Sequence, residues 1–172
     1  DKKVRWSLRN NTNYMQAAVL EALGFAALHH HELLESFWIK GSRSLETGRT
    51  EAPYAWIFPP EQRAGGRLAH LVNQLQAHRI EIHRLTGPFS LKGRTWPAGS
   101  YVVRMDQPYR NFALDVLEPQ RFPDDYEALP YDDVSWAYPV GFDVAAVRIE
   151  DERIRGAASE PLQETLHPAG SV

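Results

Sequence analysis

Along the first quarter of the chain, apolar residues recur mostly at spacings of three and four: Met15, Val19, Ala22, Ala26, Leu33 and Phe37. On a helix this spacing gathers them into one stripe, with Glu21, His29, Glu32 and Lys40 toward the wetter side. The spacing predicts a helix from Asn13 to Lys40. The polar cluster Asn10-Asn11-Thr12-Asn13 supplies short side chains that accept hydrogen bonds from free first-turn amides, and Gly41 supplies a stop. Gly24 costs about 1 kcal/mol against alanine and marks a close contact or a break. Residues 41–52 are polar and contain glycine, which predicts a connector and a domain boundary.

The pattern then changes. Tyr54-Ala-Trp-Ile-Phe58 is a short apolar run bracketed by Pro53 and Pro59-Pro60, as expected of an interior strand covered on both faces. Pro60 suits a first helical turn and Glu61 its positive end, predicting a helix to His78 with Leu68, Leu71, Val72 and Leu75 facing the core. Ile80 to Leu85 alternates like a strand, so 54–85 is expected to be a strand-helix-strand unit closed by a parallel crossover. Phe89–Leu91 and Thr95–Trp96, joined at Lys92-Gly93-Arg94, predict a hairpin, and Ser100–Met105 a further strand. Asn111–Glu118 is expected to be a short helix, Ala145–Ile149 a last or edge strand, and residues from Arg155 onward a frayed tail. The fold class that follows is α/β: a long N-terminal amphipathic helix, then a small mixed-sheet module. Its expected divisions are 1–45, 50–154 and 155–172.

Composition narrows the function. With 43% hydrophobic and 24% charged residues and 19 aromatics, the chain carries enough apolar surface for a folded core. A formal charge of −3 and scattered basic residues disfavour a nucleic-acid partner. There is no cysteine, hence no disulfide and no thiolate chemistry. No run of about 18 apolar residues occurs, so no membrane span is expected.

Several separated phrases are shared with one family. Asn10-Asn-Thr-Asn-Tyr-Met-Gln16, Pro53-Tyr-Ala-Trp-Ile-Phe-Pro59, Trp96-Pro-Ala-Gly-Ser-Tyr-Val-Val-Arg-Met-Asp-Gln-Pro-Tyr-Arg110 and Tyr131-Asp-Asp-Val-Ser-Trp136 together resemble the bacterial zinc-carboxypeptidase-like metallopeptidases. The resemblance implies that 1–45 is the closing segment of a peptidase-type domain and that 50–154 is the non-catalytic module that follows it. It further implies an exported parent hydrolase that carries zinc upstream and acts in proteolysis. The partner expected for this chain is therefore that upstream peptidase domain, and no cofactor is expected within the chain itself. A start at Asp1-Lys2-Lys3-Val4-Arg5 reads as a cut from a longer polypeptide.

Candidate chemistry is sparse. His29-His-His-Glu32 has a His-x-x-Glu spacing, but inside a predicted helix neighbouring histidines diverge by about 100 degrees each, so the solvated reading is preferred to a metal site. The carboxylates from Asp115 to Asp133 read as solvated surface, although Asp132 and Asp133 stand among aromatics suited to a cleft wall. The best candidate binding phrase is Met105 to Arg110, where a strand end meets a helix start. There Arg104 and Arg110 suit a carboxylate and Tyr109 suits stacking; the competing reading has Asp106 capping the helix and Arg110 paired with an acid. The candidate site is thus Arg104, Tyr109, Arg110, Asp132 and Asp133. It makes a module that recognises a peptide or cell-wall-derived carboxylate the alternative function. A degenerate amidotransferase-like enzyme ranks last, because the cysteine such chemistry uses is absent.

Overall fold

The computed structural model describes residues 5–63, 65–119 and 137–168. The chain divides into two compact units, residues 1–40 and 41–172.

In the first unit, helix α1 (Leu8–Leu28) begins five residues before the expected start. Its entry is tied by Asn10, whose Oδ1 accepts from the Ser7 N–H at 3.1 Å and the Ser7 hydroxyl at 2.7 Å, while Trp6 Nε1 donates to Asn11 Oδ1 at 2.6 Å. The cap is thus made one turn earlier than the asparagine cluster suggests. The helix is interrupted at His29 and not at Gly24, and α2 runs from His30 to Thr50. No residue of α1 is buried. Met15, Val19, Leu33 and Phe37, expected to line a covered stripe, are exposed, and so are Leu20, Leu23, Phe25, Leu28, Leu34 and Trp38. The amphipathic prediction fails because the apolar positions do not stop at one stripe. From Tyr14 to Leu28 the only polar side chains are Gln16 and Glu21, five residues apart and hence about 140 degrees around the helix.

The last turns of α2 correct a second expectation, since 41–50 is helical where a solvated connector was predicted. Ser44 and Gly48 are buried. A Cβ placed on Gly48 would overlap the Met105 carbonyl and lie only 2.6 Å from the Asp106 nitrogen. The helix therefore rests directly on main chain, which only glycine allows. A small, polar helical face of this kind looks like a linker when read without its partner.

Sheet order in the second unit is β6-β1-β5-β2-β7, built from β1 (Ala55–Phe58), β2 (His83–Leu85), β5 (Tyr101–Arg104), β6 (Val147–Ile149) and β7 (Ser159–Pro161). Strands β3 (Phe89–Leu91) and β4 (Arg94–Trp96) form a separate hairpin. Every ladder in the five-stranded sheet is antiparallel, where a mixed sheet was expected. Both β1 and β2 pair with β5, so they run parallel to each other with β5 between them. The strand-helix-strand unit through α3 (Gly65–Ala77) is thereby split rather than closed edge to edge. The architecture is α/β with a long first helix, as expected, but its main sheet is wholly antiparallel.

Strand alternation sorts the core into two layers. Trp56, Phe58, Val103 and Met105 face Leu68, Leu71, Val72 and Leu75 of α3 and Ala113, Val116 and Leu117 of α4 (Arg110–Leu117). Ala55, Ile57, Leu85 and Val102 face Leu91 and Trp96 of the hairpin, and Ile154. The hairpin turn places both Lys92 and Gly93 at positive φ, 49° and 77°, as a two-residue turn of matching twist requires. A short helix, α5 (Tyr138–Gly141), precedes β6.

The tail is not frayed as far as Pro168. β7 pairs with β2, and Leu162 donates to Ile82 O at 2.8 Å. Asn73 of α3 then clasps Leu166 twice, its amide donating to the carbonyl and its oxygen accepting from the N–H, each at 2.8 Å. Gln76 donates to Leu162 O at 3.0 Å. Two side chains on α3 thus supply the partners that the C-terminal backbone lacks beyond the ladder.

Candidate functional site

The end of β5 and the start of α4 carry the residues singled out from the sequence. Arg104 closes β5 and turns onto Asp106, with Nε at 2.9 Å and Nη2 at 2.5 Å from its two oxygens. This bidentate bond holds the Arg104 pKa above its ordinary value. Asp106 is therefore engaged by Arg104, and the residue at the N-cap of α4 is Tyr109, which offers no side-chain cap. Tyr109 is 37% exposed. Arg110, the first residue of α4, is buried, and among the described residues it pairs with no acid. Asp132 and Asp133 lie outside the described residues.

Three residues not singled out from the sequence, Glu81, His83 and Gln107, organise the same corner. Gln107 is 1% exposed. Its Oε1 accepts from the Glu81 N–H at 2.8 Å, and its Nε2 donates to Glu81 O at 3.2 Å and Arg104 O at 2.5 Å. One amide side chain thus pins the turn before β2 to the end of β5. His83, on β2, pairs across to Val102. Burial, and then the positive charge of Arg104, hold its pKa below 6.5, and its Nδ1 has no hydrogen-bond partner. His83 and Glu81 line a cleft of about 690 Å3, whose other walls include Asn73, Gln76, Arg79 and Thr165. The only sequence signal for this grouping is the alternation that places His83 on β2; the 26-residue separation of Gln107 from Glu81 leaves no local trace.

The histidine run is arranged differently. His29 Nδ1 lies 3.7 Å from Glu32 Oε1, both side chains exposed, while His30 Nδ1 is 2.9 Å from Ala27 O. Among the described residues no group of three or more histidine, aspartate or glutamate side chains is placed to hold a metal ion. Likewise, no helix among them is long and apolar enough to cross a membrane. Comparisons with family models, with curated proteins and with solved structures returned no match.

Proposed function

We propose that this chain is a non-catalytic supporting part of a zinc-carboxypeptidase-like protein, in which residues 1–45 close a peptidase-type domain and the α/β module packs against or shields it. The observation that carries this reading is the surface of α1. Its large apolar residues are exposed on every side, with Leu28 at 80%, Met15 at 70% and Leu23 at 63%. A helix that is apolar all round belongs in the interior of a larger assembly of elements, because a single neighbour covers only one stripe. Covering each such side chain stabilises by roughly 1.5–3 kcal/mol. That is a strong drive toward a partner that surrounds the helix, and an upstream domain of the same polypeptide is one. On this reading the zinc and the water-activating carboxylate belong to that domain, and the parent is an exported peptidase.

The test joins the chain to the polypeptide encoded upstream of it. That upstream sequence is expected to encode a His-x-x-Glu pair on a strand-to-loop segment, and hydrogen exchange across Leu8–Leu28 is expected to slow in the joined protein relative to the 172-residue chain. Replacing Leu20 and Phe25 by glutamate is expected to remove the added protection while leaving exchange in β1 and β5 unchanged. If the joined protein leaves α1 as rapidly exchanging as it is alone, the proposal fails.

A further inference from the structure

We propose that the cleft between the end of α3 and the C-terminal segment binds a neutral, polyhydroxylated ligand, a small saccharide. Its volume of about 690 Å3 lies within the range of small-molecule sites. Every wall belongs to the second unit, so the site does not depend on what covers α1. The walls are fixed by side chains that hold main chain. Gln107 binds both the N–H and the carbonyl of Glu81, Gln76 binds Leu162 O, and Asn73 binds both polar groups of Leu166. The Leu162 N–H in turn donates to Ile82 O at 2.8 Å. Ile80, Ile82 and Leu162 are buried at its base. A concavity braced in this way needs little reordering when a ligand enters.

The lining selects the ligand. Arg79, Glu81, His83, Gln163 and Thr165 bring a guanidinium, a carboxylate, an imidazole, an amide and a hydroxyl to the walls. The guanidinium only donates, the carboxylate only accepts, and the other three groups do both. The His83 imidazole is neutral at pH 7, because burial and the charge of Arg104 lower its pKa. One positive and one negative side chain balance, so an ion of either sign meets a like charge. Sugar hydroxyls each donate and accept, which matches this mixture of donors and acceptors. Arg79 adds a second, independent observation. It follows α3 at φ 65°, with its N–H on Gln76 O at 2.9 Å and the Ile80 N–H on Leu75 O at 3.1 Å. Glycine is the usual residue at such a helix end, since a side chain strains this backbone. An arginine there, on the wall of a cleft, has a use that the turn itself does not supply. A cation also suits the negative end of α3, and the two roles separate by experiment.

The experiment follows the Arg79, Glu81, His83 and Thr165 amides by 1H–15N NMR at pH 7 in the unaltered chain. The probes are cellobiose, maltose and N,N′-diacetylchitobiose, with glucuronate, glucosamine, alanine and inorganic phosphate as charged comparators. At least one disaccharide is expected to shift these amides saturably, with half-effect at about 1 mM, and every charged probe to need at least about tenfold more. Arg79→Gly is expected to leave the urea midpoint level or higher and to weaken binding at least about tenfold. A cation that only served the helix end would do the reverse, lowering the midpoint and leaving binding unchanged. Thr165→Val, at an exposed position, is expected to weaken binding with no change in the midpoint. The proposal is overturned if none of the disaccharides shifts these amides, if a charged probe equals them, or if Arg79→Gly binds as well as the unaltered chain. Should Arg79→Gly fail to fold, Thr165→Val and Glu81→Gln decide by the same criterion.

Discussion

Alanine at position 48 is expected to destabilise the second unit even though alanine is the better helix former. Bringing the Asp106 nitrogen alone back from 2.6 Å to an ordinary 3.4 Å contact requires α2 to withdraw by about 0.8 Å, and the overlapped Met105 carbonyl requires more. A radial gap of about 0.5–1 Å forfeits a quarter to a half of each dispersion contact along that face. Forcing an extra methyl into a packed site costs about 1–3 kcal/mol, and the upper end applies here because main-chain atoms cannot swing aside as a side chain would. Helix propensity offsets about 1 kcal/mol of this, leaving a net loss of about 2 kcal/mol. With a urea dependence of about 2 kcal/mol per molar, the midpoint falls by about 1 M. Gly41, on the same helix, is the control: its added Cβ would meet Pro108 Cβ at an ordinary 3.7 Å. Gly41→Ala is therefore expected to raise the midpoint, by about 0.5 M. If Gly48→Ala raises it too, the close approach of helix to main chain is not a determinant of stability and the reasoning is wrong.

Three further outcomes are expected. Asn73→Ala removes both bonds to Leu166 and should lower stability by about 1–3 kcal/mol, with faster amide exchange at Leu162 and Leu166; unchanged exchange would show that the clasp does not hold the C-terminal segment. The lowered pKa of His83 means that the unfolded chain takes up a proton near pH 6.5 before the folded chain does, so stability should fall as pH drops below 6.5 and level off below the folded pKa. Urea midpoints at pH 7.5 and 5.5 measure this, and a slope that His83→Gln leaves unaltered would contradict it. The side chain of Arg153, and then its backbone N–H, hold the Asp151 carboxyl at about 2 against an ordinary 3.8, so this group favours the fold above pH 3.8 and ceases to do so as pH falls toward 2. Carboxyl NMR titration should find that midpoint, and Arg153→Ala should move it upward; a midpoint near 3.8 in the unaltered chain would refute the assignment.

Elements whose reason for existing is local were readable from the residues. The buried face of α3 follows from Leu68, Leu71, Val72 and Leu75 at helical spacing, β1 from an apolar run between prolines, and the hairpin from Lys92-Gly93. What escaped was set by distant partners. The end of α2 is polar and small because its neighbour is the backbone at Met105, and β7 has no alternation because its place is decided by the open edge of β2 and by hooks on α3. In the candidate site, the strand-to-helix phrase pointed to Arg104 and Arg110. It gave no sign that Asp106 would satisfy the first and leave the second, since that depends on the path of two residues after β5. Gln107 and His83 entered only through the fold.

The two outer strands of the sheet, β6 and β7, are each three residues long. Pro161 in β7 has no N–H to donate, and Arg148 in β6 is drawn into ion pairs with Glu118 and Glu150. Neither border offers another polypeptide a template for main-chain addition. Copies drawn together through the exposed apolar surface of α1 would therefore meet helix to helix, since strand addition is disfavoured at these two borders of the sheet.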